Sequence, residues 1–230
     1  MRLGILLSVV LAFSPIRASA APIVVAGFTF SAGEQAFADS AELVSGSIRL
    51  CGATASISSA LTGSDLLDCI NSADSAGGIV DVSFTDNAIS NGPGPDLVIF
   101  ELSGPLGAGT PDPREVFGVS VFDGATFTAF QTVTPVDTGF RTSGGVNPGG
   151  VFAVQLDIST FGLPSDATTD RIRLHIYNVN LGTKSGDITA LGALNSGAPV
   201  PEPGTASLLA LGLVALRLAA IHWTACRKSR

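Results

Sequence analysis

Few residues in this 230-residue chain are suited to chemistry, and the densest group of them lies between positions 171 and 177. Apolar residues there alternate with Arg171, Arg173, His175 and Tyr177. Because side chains two residues apart on a strand share one face, a strand would set these four in a row. Such a row could stack on and hydrogen-bond a sugar, or bind an acidic polymer. An ordinary solvated sheet face has the same composition.

A catalytic centre is difficult to assemble from the remaining residues. The other histidine, His222, lies near the C-terminus, and no GxSxG-type motif presents a nucleophilic serine. Many aspartates neighbour Gly, Pro, Asn or Ser, where turn formation explains them. A glycosidase pair needs two carboxylates about 5–9.5 Å apart across a cleft, which a sequence does not reveal. We therefore predict that the chain is not an enzyme; a polysaccharide-degrading enzyme is the catalytic alternative.

Three carboxylates are candidates for a structural calcium site. By strand alternation Glu101 shares a face with Leu97 and Ile99, and a buried carboxylate needs a partner or a cation. Glu101, Asp96 and Asp187 could together supply oxygen ligands to Ca²⁺. The alternative is that Glu101 lies at the rim of a sheet, paired with an arginine or hydrated. No other cofactor is expected.

The elements that must position these residues are short strands separated by Gly, Pro, Asn and Asp turns, a pattern typical of an all-β sandwich. Residues 96–102 are nearly continuous in apolar side chains, which predicts a central strand with both faces covered. A helical turn is expected at 64–70. The strands that we predict are 24–30, 79–85, 96–102, 117–122, 126–133, 151–158 and 171–179.

The first twenty residues have the layout of a secretory signal peptide. Arg2 supplies the positive start, and the apolar run at 3–13 is too short to cross a bilayer core of about 30 Å. Small residues, Ala18-Ser19-Ala20, precede the predicted cleavage site. A buried strand or an uncleaved anchor is the alternative.

The last residues, 200–230, have three parts in order. An apolar stretch from 205 to 223, interrupted by Arg217, can enter a bilayer as a helix, and the basic residues after it favour the cytoplasmic side. Arg217 either ends a short transmembrane helix or snorkels within a longer one. Before the apolar stretch stand Val200, Pro201, Glu202, Pro203 and Gly204.

This tail resembles the PEP-CTERM sorting signal. The resemblance implies an exported protein, anchored in the inner membrane until an exosortase, a membrane peptidase, cuts near the Pro-Glu-Pro motif. It also implies a Gram-negative host that makes exopolysaccharide and biofilm matrix, with the product on the cell surface or in that matrix. A single-span anchor that is never processed is the alternative.

Stretches of the preceding chain resemble PEP-CTERM surface proteins whose exported domains are jelly-roll-like β-sandwiches, related to galactose-binding-like modules. The residues that carry this resemblance are 26–30, 36–39, 91–101 and 187–191. We accordingly divide the chain into a signal peptide (1–20), a β-sandwich domain (21–190), a linker (191–199) and the tail (200–230).

Two cysteines, Cys51 and Cys69, fall in the predicted exported domain, and a third falls in the tail. An oxidising compartment favours a disulfide between them, and closing such a loop stabilises a fold by about 3 kcal/mol in the chain-entropy model. Two unpaired structural thiols are the alternative.

Charge limits the partners of the exported region. Residues 21–202 contain 6 basic and 19 acidic side chains, a net charge of −13. Such a field repels phosphate backbones, so nucleic acid is excluded as a partner. We predict a non-catalytic cell-surface or matrix protein, and a carbohydrate-binding module for exopolysaccharide is the first alternative.

Overall fold

A computed structural model of the chain describes residues 20–52, 56–103, 116–142, 149–177 and 186–196, which we call the β-domain. Its strands, numbered in chain order, are β1 (Ile23–Val25), β2 (Phe28–Phe30), β3 (Ser40–Gly46), β4 (Ile48–Cys51), β5 (Cys69–Ser72), β6 (Gly78–Ser83), β7 (Ile89–Ser90), β8 (Leu97–Ser103), β9 (Phe117–Val121), β10 (Gln131–Val133), β11 (Val136–Arg141), β12 (Gly150–Leu156), β13 (Thr168–Thr169), β14 (Arg171–Ile176) and β15 (Ile188–Ala193). The β-domain also has one α-helix, α1 (Ile57–Leu61), and two 3-10 turns, Gly33–Ala36 and Ile158–Phe161.

Two antiparallel sheets carry the main core. Their strand orders are β10-β9-β14-β6-β3 and β11-β12-β8-β15-β5-β4. The two sheets contribute buried side chains to one shared apolar cluster, including Val80, Val82, Val119, Ile172 and Leu174 from the first and Ile70, Leu97, Ile99, Leu156 and Leu191 from the second. The all-β part of the fold prediction is confirmed.

The chain crosses repeatedly between these two sheets. From β6 it passes to β8 in the six-stranded sheet, returns to β9 and β10, crosses to β11 and β12, returns to β14 and then enters β15. The first residue of β8, Leu97, pairs with Leu156 on β12 and with Ala193 on β15. This pairing makes β8 a central strand, as the sequence predicted.

Both faces of β8 are covered because a third layer packs on the outside of the six-stranded sheet. Leu97 and Ile99 belong to the cluster between the sheets, whereas Val98, Phe100 and Leu102 belong to a second cluster with the N-terminal hairpin β1–β2. The Phe28 ring meets the Phe100 ring edge-on with 5.6 Å between centroids, a favoured aromatic geometry.

Several predicted boundaries are wrong. Residues 24–30 form a hairpin rather than one strand, because Ala26 and Gly27 both have positive φ, 47° and 89°, and turn the chain. Of residues 126–133, only Gln131–Val133 is a strand. Residues 64–70 contain no helical turn, and the helix of this region is α1. Ser56 caps the N-terminus of α1, because its Oγ accepts a hydrogen bond from the backbone N–H of Ser59 at 3.0 Å.

The folded region also extends beyond the predicted boundary at residue 190. Strand β15 is buried along its whole length through Ala193, and Ser196 forms a bridge with Ile89. The first residues of the predicted linker, 191–199, therefore belong to a central strand.

The predicted signal peptide, except Ala20, and the predicted tail with its transmembrane helix lie outside the described residues. Within the β-domain, no helix has both the length and the apolar character needed to cross a membrane.

Candidate functional site

The row predicted between residues 171 and 177 lies on β14 and just beyond its end. Ile172, Leu174 and Ile176 are buried between the sheets, and the alternate side chains, Arg171, Arg173, His175 and Tyr177, are partly exposed on the outer face. The segment between β9 and β10 folds across this outer face and brings three phenylalanines, Phe122, Phe127 and Phe130, against the row.

Both arginines of the row have partners within the protein. Arg173 donates from Nε and Nη2 to the two carboxylate oxygens of Asp81 at 2.6 and 2.8 Å, and its guanidinium lies 3.9 Å from the ring centroid of Phe127. These hydrogen bonds raise the pKa of Arg173 above its ordinary value. The guanidinium carbon of Arg171 lies 3.6 Å from the ring centroid of Phe122, and its Nε lies 3.6 Å from Oδ1 of Asp170.

The other half of the row is a group of three mutually tilted rings. The His175 imidazole lies between Phe130, at 5.5 Å between centroids, and Tyr177, at 4.8 Å. The Tyr177 hydroxyl is 3.2 Å from Thr132 Oγ1. All four predicted residues thus share one surface, and each of them contacts another side chain of the β-domain.

The three candidate calcium ligands do not meet at one point. Asp96 precedes β8 and Glu101 lies near its far end, so five residues at about 3.3 Å each separate them by about 16 Å. Calcium ligands lie about 2.3–2.6 Å from the ion, so one ion cannot contact both carboxylates. The predicted three-residue site is corrected on this point.

Asp96 is instead a buried structural carboxylate. It is fully buried; Oδ1 accepts from the Gly92 N–H at 2.8 Å and from Asn195 Nδ2 at 2.8 Å, and Oδ2 accepts from the Ile158 N–H at 3.0 Å. Its backbone oxygen also accepts from the N–H groups of Leu194 and Asn195. One residue therefore joins three segments that are distant in sequence.

Glu101 and Asp187 lie together at the other end of β8. Both are buried, the Asp187 N–H donates to Glu101 Oε1 at 3.4 Å, and Asn71 Nδ2 donates to Asp187 Oδ1 at 2.9 Å. A carboxylate oxygen of Asp187 and the two sulfur atoms of Cys51 and Cys69 lie within 4.8 Å of one another.

Those two cysteines form the predicted disulfide. Cys51 on β4 and Cys69 on β5 are direct cross-strand partners with 4.9 Å between their Cα atoms. Their sulfur atoms are bonded to each other, so they are not available in this cluster as thiolate ligands for a metal ion.

Sequence reasoning missed a cavity of about 260 Å³ on the outer side of the six-stranded sheet. It lies between the β1–β2 turn and strands β11 and β12. The sequence contained one sign of the turn that forms a wall of this cavity. Ala26-Gly27 occupies the two central positions of a hairpin turn, where Asn-Gly or Asp-Gly is usual.

The β-domain ends close to the predicted sorting tail. Asn195 is hydrogen-bonded to Asp96, and Ser196 pairs with Ile89. Residues 199–228 match the family model described as the PEP-CTERM protein-sorting motif. No curated protein and no solved structure matches the chain. The resemblance first drawn from Pro201-Glu202-Pro203 is thereby confirmed, and the motif marks an exosortase substrate.

Proposed function

Because the chain carries a PEP-CTERM protein-sorting motif, and is thus an exported protein that an exosortase processes, we propose that it is a non-catalytic component of the cell surface or extracellular matrix of a Gram-negative bacterium. Its β-domain is the functional part that reaches this location. Its tail, residues 200–230, serves as a temporary membrane anchor and as the substrate of the exosortase.

The observation that carries this proposal is the place of the motif relative to the fold. The match begins at residue 199, three residues after Ser196, the last residue of the β-domain. A cut near Pro201-Glu202-Pro203 would therefore release the β-domain with every described strand intact. The net charge of −13 over residues 21–202 favours a soluble product that does not return to anionic headgroups.

The non-catalytic part of the proposal is supported by the burial of one neighbouring carboxylate pair, Glu101 and Asp187. Glu101 is 1% exposed and Asp187 is 7% exposed, so neither faces a cleft that could admit a polysaccharide. A glycosidase needs both carboxylates beside the scissile bond. His175, the one histidine in the β-domain, lies against two rings that are tilted by 51° and 56° relative to its own.

The fold that we propose for the β-domain is a jelly-roll-like sandwich. From β6 onwards the chain crosses five times between two antiparallel sheets that share one core, which is the path expected of a jelly roll. The fold alone assigns no ligand.

Carbohydrate binding on the outer face of β14 is the second function predicted from sequence. The contacts of Arg171 and Arg173 with Phe122, Phe127 and Asp81 occupy groups that a sugar would need. Glycan-array binding by the purified chain, lost on Tyr177→Ala, would establish this surface as a ligand site, and equal binding by the variant would remove it.

The test of the sorting proposal is the mass of the mature C-terminus. The chain is expressed in its native host with an epitope within the exposed turn at Gly124, and the surface fraction is analysed by mass spectrometry. Glu202→Ala changes the motif, and Glu42→Ala, an exposed glutamate on β3, is the matched control. The host lacking its exosortase serves as a second control.

We expect the wild type and Glu42→Ala to end near residues 201–203, and Glu202→Ala to keep Arg230 and stay in the inner membrane. A surface-located wild-type protein that retains Arg230 would overturn the sorting proposal. Hydrolysis of a polysaccharide by the purified chain, measured as new reducing ends, would overturn the non-catalytic part.

A further inference from the structure

The cavity beside the N-terminal hairpin has the make-up of a binding pocket. Its walls are the β1–β2 turn on one side and strands β11 and β12 on the other, and they combine apolar and polar side chains. Two aromatic rings contribute, Phe28 and the 49%-exposed Phe140. The polar groups of the lining are Asp137, Thr138 and Gln155.

The turn that forms one wall contains a residue in an unfavourable backbone conformation. Ala26 has a φ of 47°, a left-handed conformation that costs an L-residue other than Gly, Asn or Asp about 1–2 kcal/mol. Next to it Gly27 has a φ of 89°, and a Cβ built there would lie 2.9 Å from Cε2 of Phe140. Two small residues therefore line this side of the cavity, and one of them has a strained backbone. Strained residues of this kind cluster at ligand sites.

The polar wall is held in a fixed orientation. Arg141 donates from Nη1 and Nη2 to the two oxygens of Asp137 at 2.8 and 2.9 Å, and the Gly139 N–H donates to Asp137 Oδ1 at 2.8 Å. Thr138 donates to the Val151 carbonyl at 2.6 Å. The exposed Gln155 amide, beside them, offers both a donor and an acceptor.

We propose that this pocket binds a single neutral sugar ring, as one residue of a polysaccharide. A pyranose presents an apolar C–H face, which suits Phe140 and Phe28, and a rim of hydroxyl groups, which suits the carboxylate and amide of Asp137 and Gln155. A volume of about 260 Å³ is just below the range of about 300–1,000 Å³ typical of drug-sized ligands, so one ring fits better than several.

Charge and polarity decide against other occupants. The net charge of −13 over residues 21–202 disfavours an anionic sugar or a phosphate ester. A purely apolar ligand would cover the exposed Gln155 amide without offering it a hydrogen bond, which carries a desolvation penalty. This site is separate from the β14 row, and it is independent of the sorting proposal.

The experiment uses the full chain in a detergent without a sugar headgroup, because a glycosidic detergent would compete. Saturation-transfer NMR is recorded with the methyl glycosides of glucose, galactose, mannose and N-acetylglucosamine, and with octanoate as the apolar competitor. Phe140→Ala removes one aromatic wall. Phe130→Ala is the matched control, a 42%-exposed phenylalanine just before β10, beside the β14 row.

A second matched pair separates pocket filling from misfolding. Ala26→Gly and Ala26→Asn both suit a positive φ, so neither variant should destabilise the hairpin. Only asparagine adds a side chain at the mouth of the cavity. The thermal midpoint of each variant is measured alongside binding.

We expect at least one glycoside to bind, with about tenfold weaker binding in Phe140→Ala and in Ala26→Asn. Phe130→Ala and Ala26→Gly should bind as the wild type does. The proposal is overturned by the absence of saturation transfer to every glycoside, by binding of octanoate alone, or by a loss in Phe130→Ala that Phe140→Ala does not show. None of these results bears on where the tail is cut.

Discussion

Replacing Asp96 with asparagine tests whether this buried carboxylate holds the β-domain together. The substitution conserves shape but removes the charge and turns one acceptor oxygen into a donor NH₂ group. Oδ1 serves two donors, Gly92 and Asn195, so the new amide oxygen would stay with them. The NH₂ group would then face the buried N–H of Ile158, which loses its acceptor.

The expected loss follows from these contacts. A hydrogen bond to a charged group contributes about 1.5–3 kcal/mol, and an orphaned buried donor adds about 1–3 kcal/mol in desolvation, partly counted in the first figure. We therefore expect Asp96→Asn to reduce the free energy of unfolding by about 2–4 kcal/mol. Asp96→Ala, which loses all three hydrogen bonds, should cost about 4 kcal/mol or more.

The assay is urea unfolding of the purified, oxidised chain, followed by far-UV circular dichroism. Asp166→Asn, the same chemical change at an exposed aspartate, is the control and should shift stability by less than about 0.5 kcal/mol. If Asp96→Asn shifts the midpoint no more than Asp166→Asn does, the three hydrogen bonds do not stabilise the fold as argued.

Three further perturbations test other parts of the β-domain. Replacing Cys51 and Cys69 by serine should lower the free energy of unfolding by about 2–4 kcal/mol, and reductant should then have no effect on the urea midpoint of the variant. Hydrogen bonds from Arg141 and Gly139 hold the pKa of Asp137 below its ordinary value of 3.8. This contribution to stability is present above about pH 4 and is lost as the pH falls through the lowered value; carboxyl NMR should show Arg141→Ala raising that pKa. Arg173→Ala should lower the free energy of unfolding in urea by about 1–2 kcal/mol. Arg173→Lys should recover less than half of this loss, since lysine cannot form the bidentate contact with Asp81.

The parts of the fold that local pattern encodes were predictable. Strand β8 has apolar residues at Leu97, Val98, Ile99 and Phe100, and the structure buries both of its faces as that pattern indicates. Strand β14 alternates strictly, and its buried and partly exposed residues alternate likewise. In both strands the period of two is visible without knowledge of any partner.

The parts that depend on distant partners were not predictable. Strand β3, Ser40–Gly46, is mostly exposed and has no clear alternation, so its extended form is fixed by pairing with β6. The β1–β2 turn was missed because Ala26 adopts a conformation that the residue type disfavours. The structural role of Asp96 was not predictable, because its partners Ile158 and Asn195 lie 62 and 99 residues away in sequence.

The bridge between Ser196 and Ile89 also fixes where the last described residue of the β-domain lies on the fold. Pro201 follows Ser196 by five residues, each spanning no more than about 3.6 Å, so the start of the Pro-Glu-Pro motif lies within about 18 Å of the bridge. The end of the six-stranded sheet that holds Leu97, Leu156 and Ala193 is consequently the proximal end. The opposite end of these strands is the one at which Gly150 pairs with Ser103.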